Sequence, residues 1–257
     1  MKKKRILLLS EGFGVGHTQA AQALAVGLRQ LSPNLQTRVM ELGSFLHPTA
    51  APLILSVYKK TVTSQPKLWG VMYRHQANKS LNRFAQLALH RLFYAQTAEI
   101  IRQLKPQAIV CTHPFPSAVI SRLKRASGLD VPLFTVITDY DAHGTWVSSG
   151  VDQYFVSAAE VKDKLTLKGI SPDKINVSGI PIHPRFWETQ NKDELRSDFE
   201  LKKMPTVMIM GGGWGLLGDT DLFRYIAEWR DRVQLLFCLG SNKKILEKLS
   251  SDPLFQH

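Results

Sequence analysis

Residues 5–21 read Arg5-Ile-Leu-Leu-Leu-Ser10-Glu-Gly-Phe-Gly14-Val-Gly-His17-Thr-Gln-Ala-Ala21. An apolar run of strand length meets a turn with glycines at alternate positions, and a helical pattern follows from Thr18 to Leu31 with Ala20, Leu24, Leu28 and Leu31 on one face. Strand, glycine turn and helix in this order place backbone N–H groups and the positive end of a helix dipole where an anionic or polar ligand can sit. The same turn without a ligand is the plainer alternative. The dinucleotide fingerprint G-x-G-x-x-G fails, because its third glycine falls on His17 or on Gln19, and no Gly-Lys-Ser/Thr completes a Walker A loop. This argues against a nicotinamide-dependent oxidoreductase.

Working outward, strands are expected at Gln36–Leu42, Gln107–Thr112, Pro132–Thr138 and Gln153–Val156, with helical stretches between most of them. Such alternation predicts a parallel sheet covered by helices. A charged stretch from Glu188 to Lys203 then breaks the apolar rhythm and reads as a linker with at least one helical turn. The pattern restarts with a strand at Thr206–Met210, a loop Gly211-Gly-Gly-Trp-Gly215, a helix at Asp221–Trp229 and a strand at Val233–Leu239. The expected architecture is α/β: a complete N-terminal Rossmann-like domain over 1–187, a linker over 188–203, and an incomplete second Rossmann-like domain over 204–257.

The chain has 257 residues, 44% of them apolar and 21% charged, which excludes disordered and collagen-like classes. The two cysteines, Cys111 and Cys238, lie in apolar runs; they give neither a disulfide framework nor a zinc spacing and read as core residues of a protein in a reducing compartment. Met1 to Leu9 imitates a signal peptide, but its apolar run is too short and ends before Glu11. No run of about 18 apolar residues is present, so a soluble or peripheral protein is expected.

Net charge is +12. Between His47 and Lys105 there are nine basic residues against one acid, Glu99, so eight of the twelve net charges fall in one segment. Lys59, Lys60, Lys67 and Arg74 alternate there with Leu53, Ile54, Leu55, Tyr58 and Trp69. Cationic and aromatic side chains in this mixture suit the headgroup boundary of an anionic membrane, where each cation is worth about 1 kcal/mol. A pair of core helices with solvated basic faces is the alternative. No nucleic-acid-binding motif accompanies the charge.

Candidate chemistry gathers where the strands end. His17, at the start of the first helix, is a candidate general base, or else a capping residue. Thr112-His113-Pro114 follows the third strand, and Thr138-Asp139-Tyr-Asp141-Ala-His143-Gly-Thr-Trp146 the fourth. Asp139, Asp141 and His143 have the donor types of a metal site, but without supporting carboxylates nearby an orienting or substrate-binding loop is favoured. Gly211, Gly212, Gly213 and Gly215 form the stronger phosphate cradle, and Ser241 and Asn242 after the next strand are placed to contact a sugar or phosphate.

Taken in order, Ser10-Glu-Gly-Phe-Gly-Val-Gly-His-Thr-Gln-Ala-Ala21, Thr138-Asp139 with His143 and Trp146, Val151 to Val156, Val177-Ser-Gly179-Ile-Pro181-Ile-His-Pro184, the Met210-Gly-Gly-Gly loop and Cys238-Leu-Gly-Ser-Asn242 match one family. The chain resembles the monogalactosyldiacylglycerol synthase and processive diacylglycerol glucosyltransferase group of glycosyltransferase family 28, up to about Leu249. The resemblance implies a GT-B fold, in which the first domain takes a lipid acceptor such as diacylglycerol from the membrane and the second holds a UDP-sugar. It implies an inverting transfer that uses no metal and no other cofactor, on the cytoplasmic face of the membrane. By the same resemblance His17 is the base and Asp139 its rival or orienter. Gly14, Gly16, His113, His143 and Trp146 line the acceptor side, the four glycines after Met210 lie against the donor diphosphate, and Lys59, Lys60, Lys67, Trp69 and Arg74 dock on the membrane. The group's Pro-Gly-Gly turn and Pro-Gly-x-Glu element are not found before His257. The expectation is therefore a second domain short by roughly 110 to 130 residues, with little activity in this chain alone, or a remnant that binds a membrane or partner.

Overall fold

A computed structural model of the chain describes residues 3–64, 93–217 and 221–255. The chain divides into two compact units, Met1–Phe186 and Trp187–His257, so that residues 188–203 fall within the second.

In the first unit, β1 (Lys4–Ser10), α1 (Val15–Leu31), β2 (Leu35–Glu41), α2 (Leu42–Leu46) and α3 (Ala50–Ser64) precede α4 (Ala95–Leu104). Then follow β3 (Ala108–Cys111), α5 (Pro114–Ser127), β4 (Leu133–Val136), β5 (Gln153–Val156), α6 (Ala159–Leu167) and β6 (Ile175–Val177). The strands form one sheet in the order β2-β1-β3-β4-β5-β6, with every neighbouring pair parallel. Strand order reverses at β1, and the crevice beyond the carboxyl ends of β1 and β3 is where open α/β sheets hold ligands.

Alternation along β1 builds the two sides of the core. Leu7 and Leu9 join a cluster with Met40, Ile109, Ile120 and Tyr154, while Leu8 packs on Ala21 and Ala25 of α1. The buried face of α1 is Ala20, Ala21, Ala23 and Ala25 rather than the expected leucine stripe, and Leu31, its last residue, is 86% exposed. Small side chains let the helix lie close on β1, and that closeness holds its first turn over the strand end. The helix also starts at Val15, before the expected Thr18, because Gly14 adopts φ 135° as its N-cap, a conformation that glycine reaches without strain. Gly16 and His17 are therefore helical. The sixth strand was not anticipated: it is three residues long and carries Asn176 at its centre.

The loop between β4 and β5 is held from below. The buried Tyr154 hydroxyl accepts the Ser148 N–H and donates to the Ser148 carbonyl, both at 3.0 Å, and Gly150 donates to Ser121 Oγ at 2.9 Å. These bonds fix the chain that leaves the short 3-10 turn Gly144–Trp146.

The second unit comprises α7 (Lys192–Asp198), β7 (Thr206–Met210), α8 (Asp221–Ala227), β8 (Gln234–Cys238) and α9 (Lys243–Ser251). The two strands are parallel, with Ile209 opposite Phe237 and Met210 opposite Cys238. Ile209 and Phe237 pack on Leu217, Phe223 and Leu249. The period of two then turns Met208, Met210 and Cys238 to the other face. Cys238 is accordingly exposed, against the expectation of a core cysteine, whereas Cys111 is buried. No helix among the described residues is long and apolar enough to cross a membrane.

Tyr154→Phe should lower the unfolding free energy of the first unit by about 1–3 kcal/mol, because the Ser148 amide and carbonyl lose their buried partner. Denaturant unfolding checks this, and an unchanged midpoint would show that the β4–β5 loop does not depend on the hydroxyl.

Candidate active site

Three chain segments meet at the carboxyl edge of the sheet: the glycine turn after β1, Thr112-His113 after β3, and Thr138 to Trp146 after β4. A Cβ placed on Gly14 or on Gly16 would find no atom within 4 Å, so this side of the turn is open. Between the turn and β3 stands His17. Its Nδ1 lies 3.0 Å from the Thr112 carbonyl oxygen and 2.7 Å from Thr138 Oγ1. A carbonyl only accepts, so Nδ1 carries the hydrogen in the neutral ring and Nε2 holds the lone pair. Thr112 is bound twice, since its own hydroxyl donates to the His17 carbonyl at 2.9 Å.

Burial lowers the His17 pKa below the usual histidine value, and the Thr112 bond and the Asp139 charge oppose that shift. The imidazole is neutral near pH 7, the state a base requires. Asp139 acts only by its charge: its Oδ1 accepts the Tyr140 N–H at 3.1 Å, and it has no bond to His17. Thr112 and Thr138 orient the ring instead. The sequence reading named neither for this role, because a hydroxyl residue at a strand end carries no local mark of a partner 95 or 121 positions away.

Around His17 the other predicted residues assemble. His113 packs edge-on against it at 4.7 Å and stacks on Phe13 at 5.7 Å. Its Nδ1 accepts the Phe115 N–H, capping α5. Burial, aided by the neighbouring His17 and His143, pushes its pKa down to about 3. His143 and Trp146 complete the group, the Trp146 ring lying 6.2 Å from both His17 and His143. Burial also lowers the His143 pKa, against the charges of Asp139 and Asp141. The Trp146 indole N–H is buried with no hydrogen-bond acceptor among the described residues.

Asp141 turns away from this group. It pairs with Lys164 of α6 at 2.6 Å, and that hydrogen bond holds its carboxyl below the usual range. Among the described residues no three His, Cys, Asp or Glu side chains converge as a metal site. A surface cleft of about 340 Å³ opens at the opposite edge of the sheet, where the Lys124–Asp152 pair also holds the Leu133 N–H.

In the second unit the glycines serve the loop itself as well as its surface. Gly211 donates to the Cys238 carbonyl at 2.9 Å and Ser241 donates to the Gly213 carbonyl at 3.0 Å. A Cβ on Gly215 would stand 2.0 Å from the Leu239 oxygen, so only glycine fits there. Asn242 is fully engaged, donating to the Gly215 carbonyl and accepting the Ile245 N–H. Gly212 and Gly213 are the members of the loop whose amides have no partner among the described residues.

Of the residues predicted to dock on a membrane, Lys60 lies exposed on α3. Lys59 lies on the same helix, but its side chain is outside the described residues, as are Lys67, Trp69 and Arg74 altogether. On α3, Leu53, Ile54 and Val57 are each more than half exposed.

A doubly wound parallel sheet followed by a second strand, glycine turn and helix has the element order of the GT-B fold class. Solved structures of similar fold include HepE of Anabaena in complex with UDP-glucose, at TM-score 0.53 and 12% identity over 95% of this chain and 64% of that one. UDP-GlcNAc 2-epimerase from Neisseria meningitidis bound to UDP-GlcNAc matches at TM-score 0.55 and 13% identity, over 96% of this chain and 70% of that one. At such identities the likeness is one of fold. The family described as monogalactosyldiacylglycerol (MGDG) synthase matches residues 17–182, and the chain belongs to it. Relatives include the processive diacylglycerol beta-glucosyltransferases of Bacillus subtilis, 28% identical over 96% of this chain, and of Staphylococcus epidermidis, 26% identical over 97%. The chain spans 64% and 63% of the length of these two relatives.

Replacing Asp139 by Asn should move the titration midpoints of His17 and His143 further down, since the charge that favours their protonated forms is removed. Proton resonance titration of the ring signals checks this. Midpoints that stay in place would mean that the Asp139 charge does not reach either ring.

Proposed function

We propose that this chain belongs to an inverting glycosyltransferase that moves a hexose from a UDP-sugar to a membrane lipid such as diacylglycerol. The observation that carries the reading is His17, neutral, oriented through Nδ1 and set beside an open glycine turn at the switch point of the sheet. Family membership and the names of the relatives supply the acceptor class.

In this mechanism Nε2 of His17 removes the proton of the acceptor hydroxyl as that oxygen attacks the anomeric carbon. The bond from that carbon to the diphosphate oxygen breaks, and UDP leaves from the opposite face. The imidazolium formed is stabilised by the Thr112 carbonyl and by the charge of Asp139. Within the second unit, the amides of Gly212 and Gly213 are the groups suited to a diphosphate, and the reading calls on no metal. The apolar residues of α3 and the cations of its segment bring the protein to anionic lipid on the cytoplasmic face.

Transfer of labelled glucose from UDP-glucose to diacylglycerol in anionic vesicles tests the reading. In a form with a full-length second domain, His17→Ala should cut turnover by roughly 10²- to 10⁴-fold while the affinity for UDP-glucose, read by calorimetry, stays within about twofold of the parent. Unaltered turnover would remove the base assignment, and absence of any UDP or UDP-glucose binding would remove the donor assignment.

A further inference from the structure

The glycine turn rests on a carboxyl group for which the transfer reaction has no use. Glu11, the residue after β1, is only 3% exposed. Its Oε1 accepts the Gly43 N–H at 2.6 Å, which joins the turn to α2. A Cβ on Gly43 would stand 2.9 Å from Glu11 Oε2, so the helix backbone lies directly against the carboxyl. A second carboxylate borders the same turn. Glu41, at the end of β2, has Oε2 3.3 Å from where a Cβ on Gly12 would be, and Leu55 of α3 is equally close to that point. Glu41 Oε1 accepts the hydroxyl of Thr18, the residue after His17, at 2.7 Å, and its Oε2 accepts the Ser44 hydroxyl at 3.4 Å. Among the described residues neither carboxylate has a cationic partner.

We propose that Glu11 is a positioning residue: the proton on its carboxyl decides whether the glycine turn stays seated against α2 and α3 and, through Glu41 and Thr18, how α1 presents His17. As a neutral acid Glu11 still accepts the Gly43 N–H through its carbonyl oxygen. As an anion it is a buried negative charge near the partly exposed Glu41 with no countercharge among the described residues, and the relief is displacement of the turn or of α2 until water reaches it. Among the described residues the groups recorded as acting on the carboxyl are the Gly43 amide of α2 and the charge of Glu41 of β2; Glu41 in turn holds Thr18 of α1, and Leu55 of α3 lies beside Gly12. Burial, with the Glu41 charge adding to it and the Gly43 bond opposing it, raises the midpoint from 4.5 to about 7, where the proton comes and goes near neutral pH. The catalytic meaning of this control rests on His17 being the base; the control itself does not.

The test uses the whole chain without donor or acceptor, so it is independent of glycosyl transfer. The His17 ring signals should show, besides the ring's own titration, a second inflection near pH 7. Glu11→Gln, neutral and able to accept the Gly43 N–H, should abolish that inflection and leave the ring's own. Glu41→Gln should move it to lower pH. Thermal unfolding supplies a second readout: between 4.5 and about 7 the folded chain keeps a proton that the unfolded chain has lost, so stability falls as pH rises through this range. Glu11→Gln should flatten that fall. A His17 signal with no second inflection, or an inflection and a fall that both survive in Glu11→Gln, overturns the proposal. Loss of the transfer reading with these results intact would count against the base assignment alone.

Discussion

The hydrogen bond from His17 Nδ1 to the Thr112 carbonyl, answered by the Thr112 hydroxyl on the His17 carbonyl, ties the first turn of α1 to the end of β3. These two segments flank the point where the strand order reverses, and the reciprocal pair keeps the crevice between them at a set width. The bond also selects the ring tautomer. A carbonyl cannot exchange roles with the ring as a hydroxyl or water can, so Nε2 is left as the acceptor of protons. Thr138 adds a second oxygen at the same nitrogen, and Asp139 adds charge without contact. A neutral pair thus does the orienting that a carboxylate does in the serine hydrolases.

Burial is the second constraint, and it acts on four titratable groups near the turn. It disfavours the charged form of His17, His113 and His143, and it disfavours the anion of Glu11. The consequence is a site whose three histidines are held toward their neutral form and whose nearest buried acid exchanges its proton near neutral pH. A proton transferred to His17 places a new charge beside that of Asp139, and at partly buried groups such charges are felt strongly by their neighbours.

Much of the fold was legible in residues 5–21, because the glycine spacing and the change of period from two to 3.6 are local properties. The strands after β1 were legible for the same reason, as short apolar runs. β6 was not, since three residues around Asn176 leave too short a run to read. The cysteine misreading has a similar origin: an apolar run states that a residue sits on a strand, while the face is set by the register of β8 against β7. In the site, the histidines and Trp146 were legible from residue type and position at strand ends. Thr112 and Thr138 were not legible as orienters, and Glu11 read only as an acid that ends an apolar run. Their roles arise from contacts with β3, β4 and α2 that exist only once the sheet is assembled.

The central claim is that His17 is held as a base with its free lone pair on Nε2. Nitrogen-15 resonance of the His17 ring in the intact chain, at a pH above its titration, tests this most directly. The account predicts a protonated signal at Nδ1 and an unprotonated one at Nε2. The reverse assignment, with the proton on Nε2, would contradict it and would leave His17 without the lone pair that the proposed transfer requires.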